Sequence, residues 1–198
     1  MENLEEHDSA ETQKRSSASR GRKWLLMAVL ALTAVAGDQA SKQWAHTTLR
    51  DAHGGRLVVA ERLFSLTYVR NPGAAWGFLS NASESFRRPF FIGVSVLAMI
   101  FIVVVFSRLE QNQKLLAVAL ALVMGGAIGN FIDRLRFDYV IDFLDVYVGS
   151  YRWPTFNVAD IAISVGVFFL FADMIIVSIK TRRSGNKGPE KNGEAPLG

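Results

Sequence analysis

The chain has 198 residues, half of them hydrophobic, and a formal net charge of +4. The apolar residues are gathered in blocks, with basic residues just outside them at Arg20, Arg22, Lys23, Lys180, Arg182 and Arg183, a pattern of flanked membrane spans and not the basic, aromatic-studded face of a nucleic-acid binder. The absence of cysteine excludes disulfides, thiolate nucleophiles and Cys-ligated metals, and the three histidines (His7, His46, His53) form no HExxH pattern, which argues against a zinc peptidase.

In chain order, residues 1–22 are rich in Glu, Ser and Arg, a composition that cannot support a packed core and reads as a disordered tail. Residues 24–45 open with the run WLLMAVLALTAVA and turn polar at Asp38. This segment has two readings: a cleavable secretory signal ending at Ala34-Val35-Ala36 before Gly37, or a retained first span. Retention leaves both basic tails on one side and is preferred. A hydrocarbon core about 30 Å thick takes about 20 mostly apolar residues in a helix, and residues 89–106, 115–132 and 156–179 supply three more spans.

Between the first two spans, residues 63–70 (LFSLTYVR) alternate apolar and polar side chains, the period of a half-buried strand. Asn71-Pro72-Gly73 then marks a turn, and Trp76 and Phe78 suit a membrane interface. Residues 181–198, rich in Lys, Gly and Pro, read as a second disordered tail. The three segments on the tail side (1–23, 107–114, 180–198) hold 12 Lys and Arg, against nine in the longer connections 46–88 and 134–155. That bias places both termini in the cytoplasm and the two connections outside.

Ionisable groups inside a span are expensive and are functional candidates by default. Asp160 lies about 6 Å into the fourth helix at a rise of 1.5 Å per residue, with Asn157 on the same face. Asn130, Asp133 and Arg134 share one face at the outer end of the third span, and Asp142 falls in the link between these helices. Asp133 with Arg134 reads as a structural pair or helix-end group, and Asp145 as a solvated loop charge. Asp173, about 20 Å below Asp160, reads as pairing with a basic group such as Arg108. Asp38 and Lys42 have i,i+4 spacing for an ion pair, which reads as lying at the outer interface. Gly125 and Gly129 form a GxxxG step that admits a neighbouring helix.

Two carboxylates that share a site cannot both ionise easily, so one holds a proton while the other activates water, as in aspartic peptidases. Serine chemistry lacks a partner here, since Ser41 and Lys42 are sequence neighbours whose side chains diverge on a helix. On these grounds alone an aspartic hydrolase competes with a small transporter or assembly factor whose aspartates relay protons or brace a loop.

The ordered set DQASK (38–42), NPGAAWGF (71–78), GGAIGNFIDRL (125–135), VIDF (140–143) and FNVADIAI (156–163) closely resembles prolipoprotein signal peptidase, also called signal peptidase II. The resemblance covers the whole membrane-embedded part. It implies an all-α membrane protein of four transmembrane helices with a small extracytoplasmic β cradle, built from residues 23–180. It further implies a membrane aspartic endopeptidase that cuts bacterial prolipoproteins before the diacylglyceryl-modified cysteine, with no metal or organic cofactor. By motif, the catalytic aspartates fall on Asp142 and Asp160. Asn71, Asn130, Arg134 and Asn157 fall on groups that hold substrate and carboxylates, and Asp38 and Lys42 on groups that shape the site. Partners implied are diacylglyceryl-modified prolipoproteins and membrane lipids, acting on a monomer in the bacterial inner membrane with its site near the outer face. Trp76 stands where phenylalanine is common, Asp173 has no counterpart, and the N-terminal tail is long.

Reporter fusions test the topology: a fusion at Gly198 is expected to read as cytoplasmic and one near Gly54 as outside. A periplasmic C-terminus, or a mature chain starting at Gly37, overturns the four-span arrangement.

Overall fold

The computed structural model describes residues 2–51, 55–73, 78–79 and 81–185, with side chains from Gly21 to Arg182. Four helices, α1 (Glu2–Thr48), α2 (Glu84–Ser107), α3 (Lys114–Phe137) and α4 (Val158–Gly185), each contain a stretch long and apolar enough to cross a membrane: Gly21–Thr48, Glu84–Ser107, Lys114–Phe137 and Val158–Arg182. Helical backbone continues over the polar residues before Gly21, where composition suggests no packed element. Strands β1 (Arg56–Ala60), β2 (Phe64–Asn71), β3 (Val140–Val148) and β4 (Tyr151–Arg152) form an antiparallel sheet in the order β1-β2-β3-β4.

The helices bury little and expose much that is apolar. Leu97, Phe101, Phe168, Phe171 and Met174 are each more than 60% exposed, which suits a solvent of hydrocarbon tails. α3 is the central helix and packs against the other three. Its small residues permit this: Gly125 lies against Ala31 and Ala34 of α1, Gly126 against Ala159 and Ile163 of α4, and Gly129 against Asp38 and Ala159. Gly166 of α4 returns the contact against Ala119 and Val123. Close backbone approach is how helices associate where no hydrophobic drive separates lipid from side chain.

Along the bundle the interior has three layers. An apolar cluster of Met27, Ala31, Ile102, Phe106, Leu120 and Met124 lies toward one end. A second, of Ala45, Leu49, Ile141 and Phe143, seats the sheet on the end of α1. Between them lie Asp38, Lys42, Asn130, Asp133, Asp142 and Asn157, all buried.

The strand expected over 63–70 is β2. The connection 134–155, read from sequence only as a link carrying Asp142, holds β3 and β4. Val140 to Phe143 are all buried, so the segment lacks the alternation that announces a strand with one wet face. Asp138, in the left-handed region at φ 64, ends α3. At the far end Gly149, also left-handed at φ 61, starts the two-residue turn into β4, a conformation glycine adopts without strain.

Asp145 is not a solvated loop charge. The β2–β3 register sets it opposite Ser65, whose hydroxyl donates to it at 2.9 Å. Arg56 and Arg152 approach it to 3.4 and 3.3 Å. Both guanidinium groups also lie over the Tyr147 ring, at 4.9 and 5.5 Å. The partners come from three strands, and only the pairing brings them to this carboxylate. The pairing expected of Asp173 with Arg108 is absent too: no ion pair to Asp173 exists among the described residues, and Arg108 is exposed. Trp76 lies outside the described residues, whereas Phe78 is exposed.

The α3–α4 contact gives a direct test. A Cβ on Gly126 would stand 2.7 Å from Ile163 Cγ1 and closer still to the Ala159 carbonyl, which cannot turn aside. Gly126→Ala is expected to lose about 1–3 kcal/mol, the usual scale of overpacking, and to lower the melting temperature in detergent. Gly93→Ala, with open space around it, is expected to leave the temperature unchanged or raise it.

Candidate active site

The first half of the site is made at the start of α4. Asn157 is its N-cap and Asp160 its third residue. The Asn157 side-chain oxygen accepts the Asp160 N–H at 3.0 Å, and the Asp160 carboxylate accepts the Asn157 N–H at 3.2 Å. This reciprocal cap satisfies two of the helix's orphan donors and fixes the Asp160 carboxylate by its own backbone. The other Asp160 oxygen accepts from Asn130 Nδ2 of α3 at 2.9 Å.

The second half is on β3. Phe156, just before the cap, exchanges backbone hydrogen bonds with Leu144 (2.9 and 3.1 Å), and its carbonyl also accepts the Phe143 N–H at 3.0 Å. That bridge draws the start of α4 onto the strand that carries Asp142. Asn157 Nδ2 then donates to Asp142 Oδ1 at 2.7 Å, and Asn71 Nδ2, at the end of β2, to Asp142 Oδ2 at 2.9 Å. Asn71 also accepts the Gly73 N–H at 3.0 Å, closing the turn that the Asn-Pro-Gly sequence signals. Arg134 donates to the Gly73 carbonyl at 3.4 Å and lies 4.8 Å over the Phe91 ring.

Asp142 is only 2% exposed. Its carboxyl is pushed up to about 7, first by burial and also by the neighbouring Asp160, against the opposing hydrogen bonds from Asn71 and Asn157. Asp142 and Asp160 open on one cavity of about 550 Å³, whose polar wall includes Asn71, Asn130 and Arg134 and whose apolar wall includes Phe156, Ile161 and Val165. Among the described residues no cluster of His, Cys, Asp and Glu could hold a metal ion.

All eight residues singled out from the sequence gather here, but not at one depth. Asn71, Asn130, Arg134, Asp142 and Asp160 line the cavity, while Asn157, Asp38 and Lys42 lie behind it, each at most 1% exposed. Asp38 and Lys42 do form the expected i,i+4 pair, at 2.8 Å, in the interior and not at an interface. Asp133 pairs with Lys42 at 3.0 Å and not with its neighbour Arg134, because successive residues of a helix point apart. The Ser41 hydroxyl donates to the Asp38 carbonyl, so it forms no nucleophile with Lys42.

A family model described as signal peptidase (SPase) II matches residues 30–176. The chain belongs to the signal peptidase II family. Among curated relatives, a lipoprotein signal peptidase of Geobacter sulfurreducens is 54% identical over 138 residues, covering 70% of this chain and 84% of its own. One of Geobacter metallireducens is 47% identical over 150 residues, covering 76% and 90%. A solved bacterial membrane enzyme aligns at a TM-score of 0.67 and 32% identity over 83% of this chain and 93% of its own. The chain is therefore an aspartic-type signal peptidase, an enzyme and not a transporter.

Two features of this signal peptidase went unread in the sequence. Gln39, inside DQASK, donates to Asp133 at 3.1 Å and to the Gly129 carbonyl at 3.1 Å, and nothing local marks it. The cap at 157–160 could have been found, since Asn followed three residues later by an acid at the start of an apolar run is a helix-start pattern.

The raised Asp142 carboxyl makes a signed prediction. Its folded pKa of about 7 exceeds the 3.8 of a free side chain, so the folded peptidase binds that proton more tightly. Its favourable contribution is full below 3.8 and is lost as pH rises through 7. Asp142→Asn removes the titration, so the melting temperature of the variant relative to wild type is expected to climb from pH 5 to pH 8. A difference that stays flat across that range would refute the raised carboxyl.

Proposed function

We propose that Asp142 and Asp160 are the catalytic pair with which this signal peptidase removes the signal peptide of a bacterial prolipoprotein, cutting before the cysteine that carries diacylglycerol. One observation carries the reading: two carboxyls from different elements are aimed into one cavity, each anchored through both oxygens by amide donors. Rigid placement of this kind is what acid–base chemistry on a single water requires.

Asp142, with its raised carboxyl, holds the shared proton and donates it to the scissile carbonyl oxygen. Asp160 takes a proton from the water that attacks the carbonyl carbon; as the C–N bond breaks, Asp160 gives that proton to the leaving amine and a hydroxyl of the tetrahedral intermediate returns one to Asp142. Asn71 and Arg134 at the mouth hold the substrate backbone, and Asn130 and Asn157 hold the carboxylates. The acyl chains lie along the apolar flank of α4 below Ile161 and Val165, so a lipid-anchored substrate enters sideways from the bilayer. Residues 23–180 make up the catalytic unit and the two tails add nothing to the site. Both aspartates come from one chain, which acts as a monomer. The excess of basic residues on the tail side supports cytoplasmic termini and a site near the outer face of the inner membrane.

Asp142→Asn and Asp160→Asn keep the shape of the site and remove proton exchange. Each is expected to lower single-turnover cleavage by about 10²–10⁴-fold, with the double variant hardly worse because both act on one water. Binding of a lipidated substrate, titrated in the same detergent, is expected to survive. Retention of more than about a tenth of the wild-type rate by either single variant, well inside the expected loss, means the pair does not carry the reaction.

A further inference from the structure

Behind the cavity lies a buried charged group that the proposed chemistry does not use. The Lys42 ammonium is within 2.8 Å of Asp38 Oδ2, 3.0 Å of Asp133 Oδ2 and 2.9 Å of Asn130 Oδ1. An ammonium has three N–H donors, and here three acceptors take them. Lys42 and both aspartates are at most 1% exposed, so none of the three can touch substrate.

The second oxygen or lone pair of each partner leads to the reacting groups. Asp38 Oδ1 accepts the backbone N–H of Ala159 at 2.9 Å, and Ala159 immediately precedes Asp160. Asp133 Oδ2 accepts the backbone N–H of Ile141 at 3.1 Å, and Ile141 immediately precedes Asp142. The same ammonium thus holds two carboxylates, and each of these holds the residue before one aspartate of the pair. The third contact acts on a side chain: with Asn130 Oδ1 turned to Lys42, its Nδ2 is turned to Asp160. Gln39 adds a second tie between Asp38 and Asp133, at 3.2 and 3.1 Å.

We infer that Lys42, Asp38 and Asp133 form a positioning brace that sets the separation of Asp142 and Asp160, with Lys42 also fixing the amide orientation of Asn130. The start of α4 is also tied to β3 by the Phe156 bridge, the Asn157 side chain and the packing of Val158 against the cluster that holds Ile141 and Phe143. The brace adds a link from α1 and α3 to each of them, one residue from each carboxyl. Burying two carboxylates and one ammonium is costly, and apolar groups of the same volume would pack with less desolvation. What apolar groups could not supply is two acceptors, one for the Ile141 N–H of β3 and one for the Ala159 N–H of α4. The inference rests on the assignment of Asp142 and Asp160 as the reacting pair.

The test compares Lys42→Met with the neutral triple variant Lys42→Met, Asp38→Asn, Asp133→Asn, in which each asparagine keeps an acceptor for its backbone N–H but the shared cation is gone. Single-turnover rate and substrate affinity are measured per folded enzyme in detergent, with Asp142→Asn and Asp160→Asn alongside. A misplacement of about 1 Å can cost about 10²-fold in rate. The brace predicts a fall of that order in the rate with affinity for a lipidated substrate held within about threefold, in Lys42→Met and still in the triple variant. A wild-type rate in either folded variant, or a loss confined to affinity, overturns the brace. A triple variant that cannot be folded makes the group a folding requirement only, and overturns it too. If instead the Asp142 and Asp160 variants retain activity, the catalytic pair itself is misassigned, an outcome separate from the failure of the brace.

Discussion

Asn157 makes hydrogen bonds to both aspartates at once. It caps α4 through a reciprocal exchange with Asp160 and donates from the same side chain to Asp142 at 2.7 Å. The cap belongs to helix formation, the donation to the site, and neither is possible without the other's geometry. Phe156 makes the combination available by pairing its backbone with Leu144 and Phe143, which sets the first turn of α4 against β3. A carboxylate near a helix N-terminus is also favoured by the helix dipole, so Asp160 stands where the backbone itself welcomes negative charge.

Most polar groups of this layer are shut away from solvent. Within apolar helices an unsatisfied donor or acceptor costs several kcal/mol, and the six buried side chains between the two apolar clusters answer that by bonding one another. Asn130 accepts from Lys42 and Asn157 and donates to Asp160. Each link constrains the next, so the layer has few alternative arrangements. The small residues of α3 belong to the same account. Gly129 leaves room for Asp38 and Ala159, and a larger residue there would push α1 and α4 apart and break the contacts that cross between them.

The sheet has a separate source of order. Asp145 draws Ser65, Arg56 and Arg152 to one point on three strands, beyond the membrane-spanning stretches of the helices. Its consequence for the site is indirect: it holds β3 against β2, the pairing that sets Asp142 opposite Val69 and so within reach of the Asn71 side chain two residues on.

Much of this protein was legible without coordinates. Four apolar blocks of spanning length, the strand at 63–70, the turn at 71–73 and the polar residues at the ends of the third and fourth blocks all follow from local pattern, since hydropathy and period are properties of neighbouring residues. The ordered motifs pointed to the family and to the eight residues now found together. What local pattern could not supply was anything that depends on partners far along the chain. Asp133 faces Lys42, 91 positions earlier, and not adjacent Arg134. Asp145 is buried opposite Ser65, 80 positions away, and Asp173 makes no ion pair among the described residues, Arg108 included. β3 escaped notice because a strand buried on both faces shows no alternation. The residue types at the site were set by the sequence. Which carboxylate holds which backbone N–H was decided only when α1, α3, β3 and α4 packed together, because hydrogen bonds of fixed length select among partners that sequence distance cannot rank.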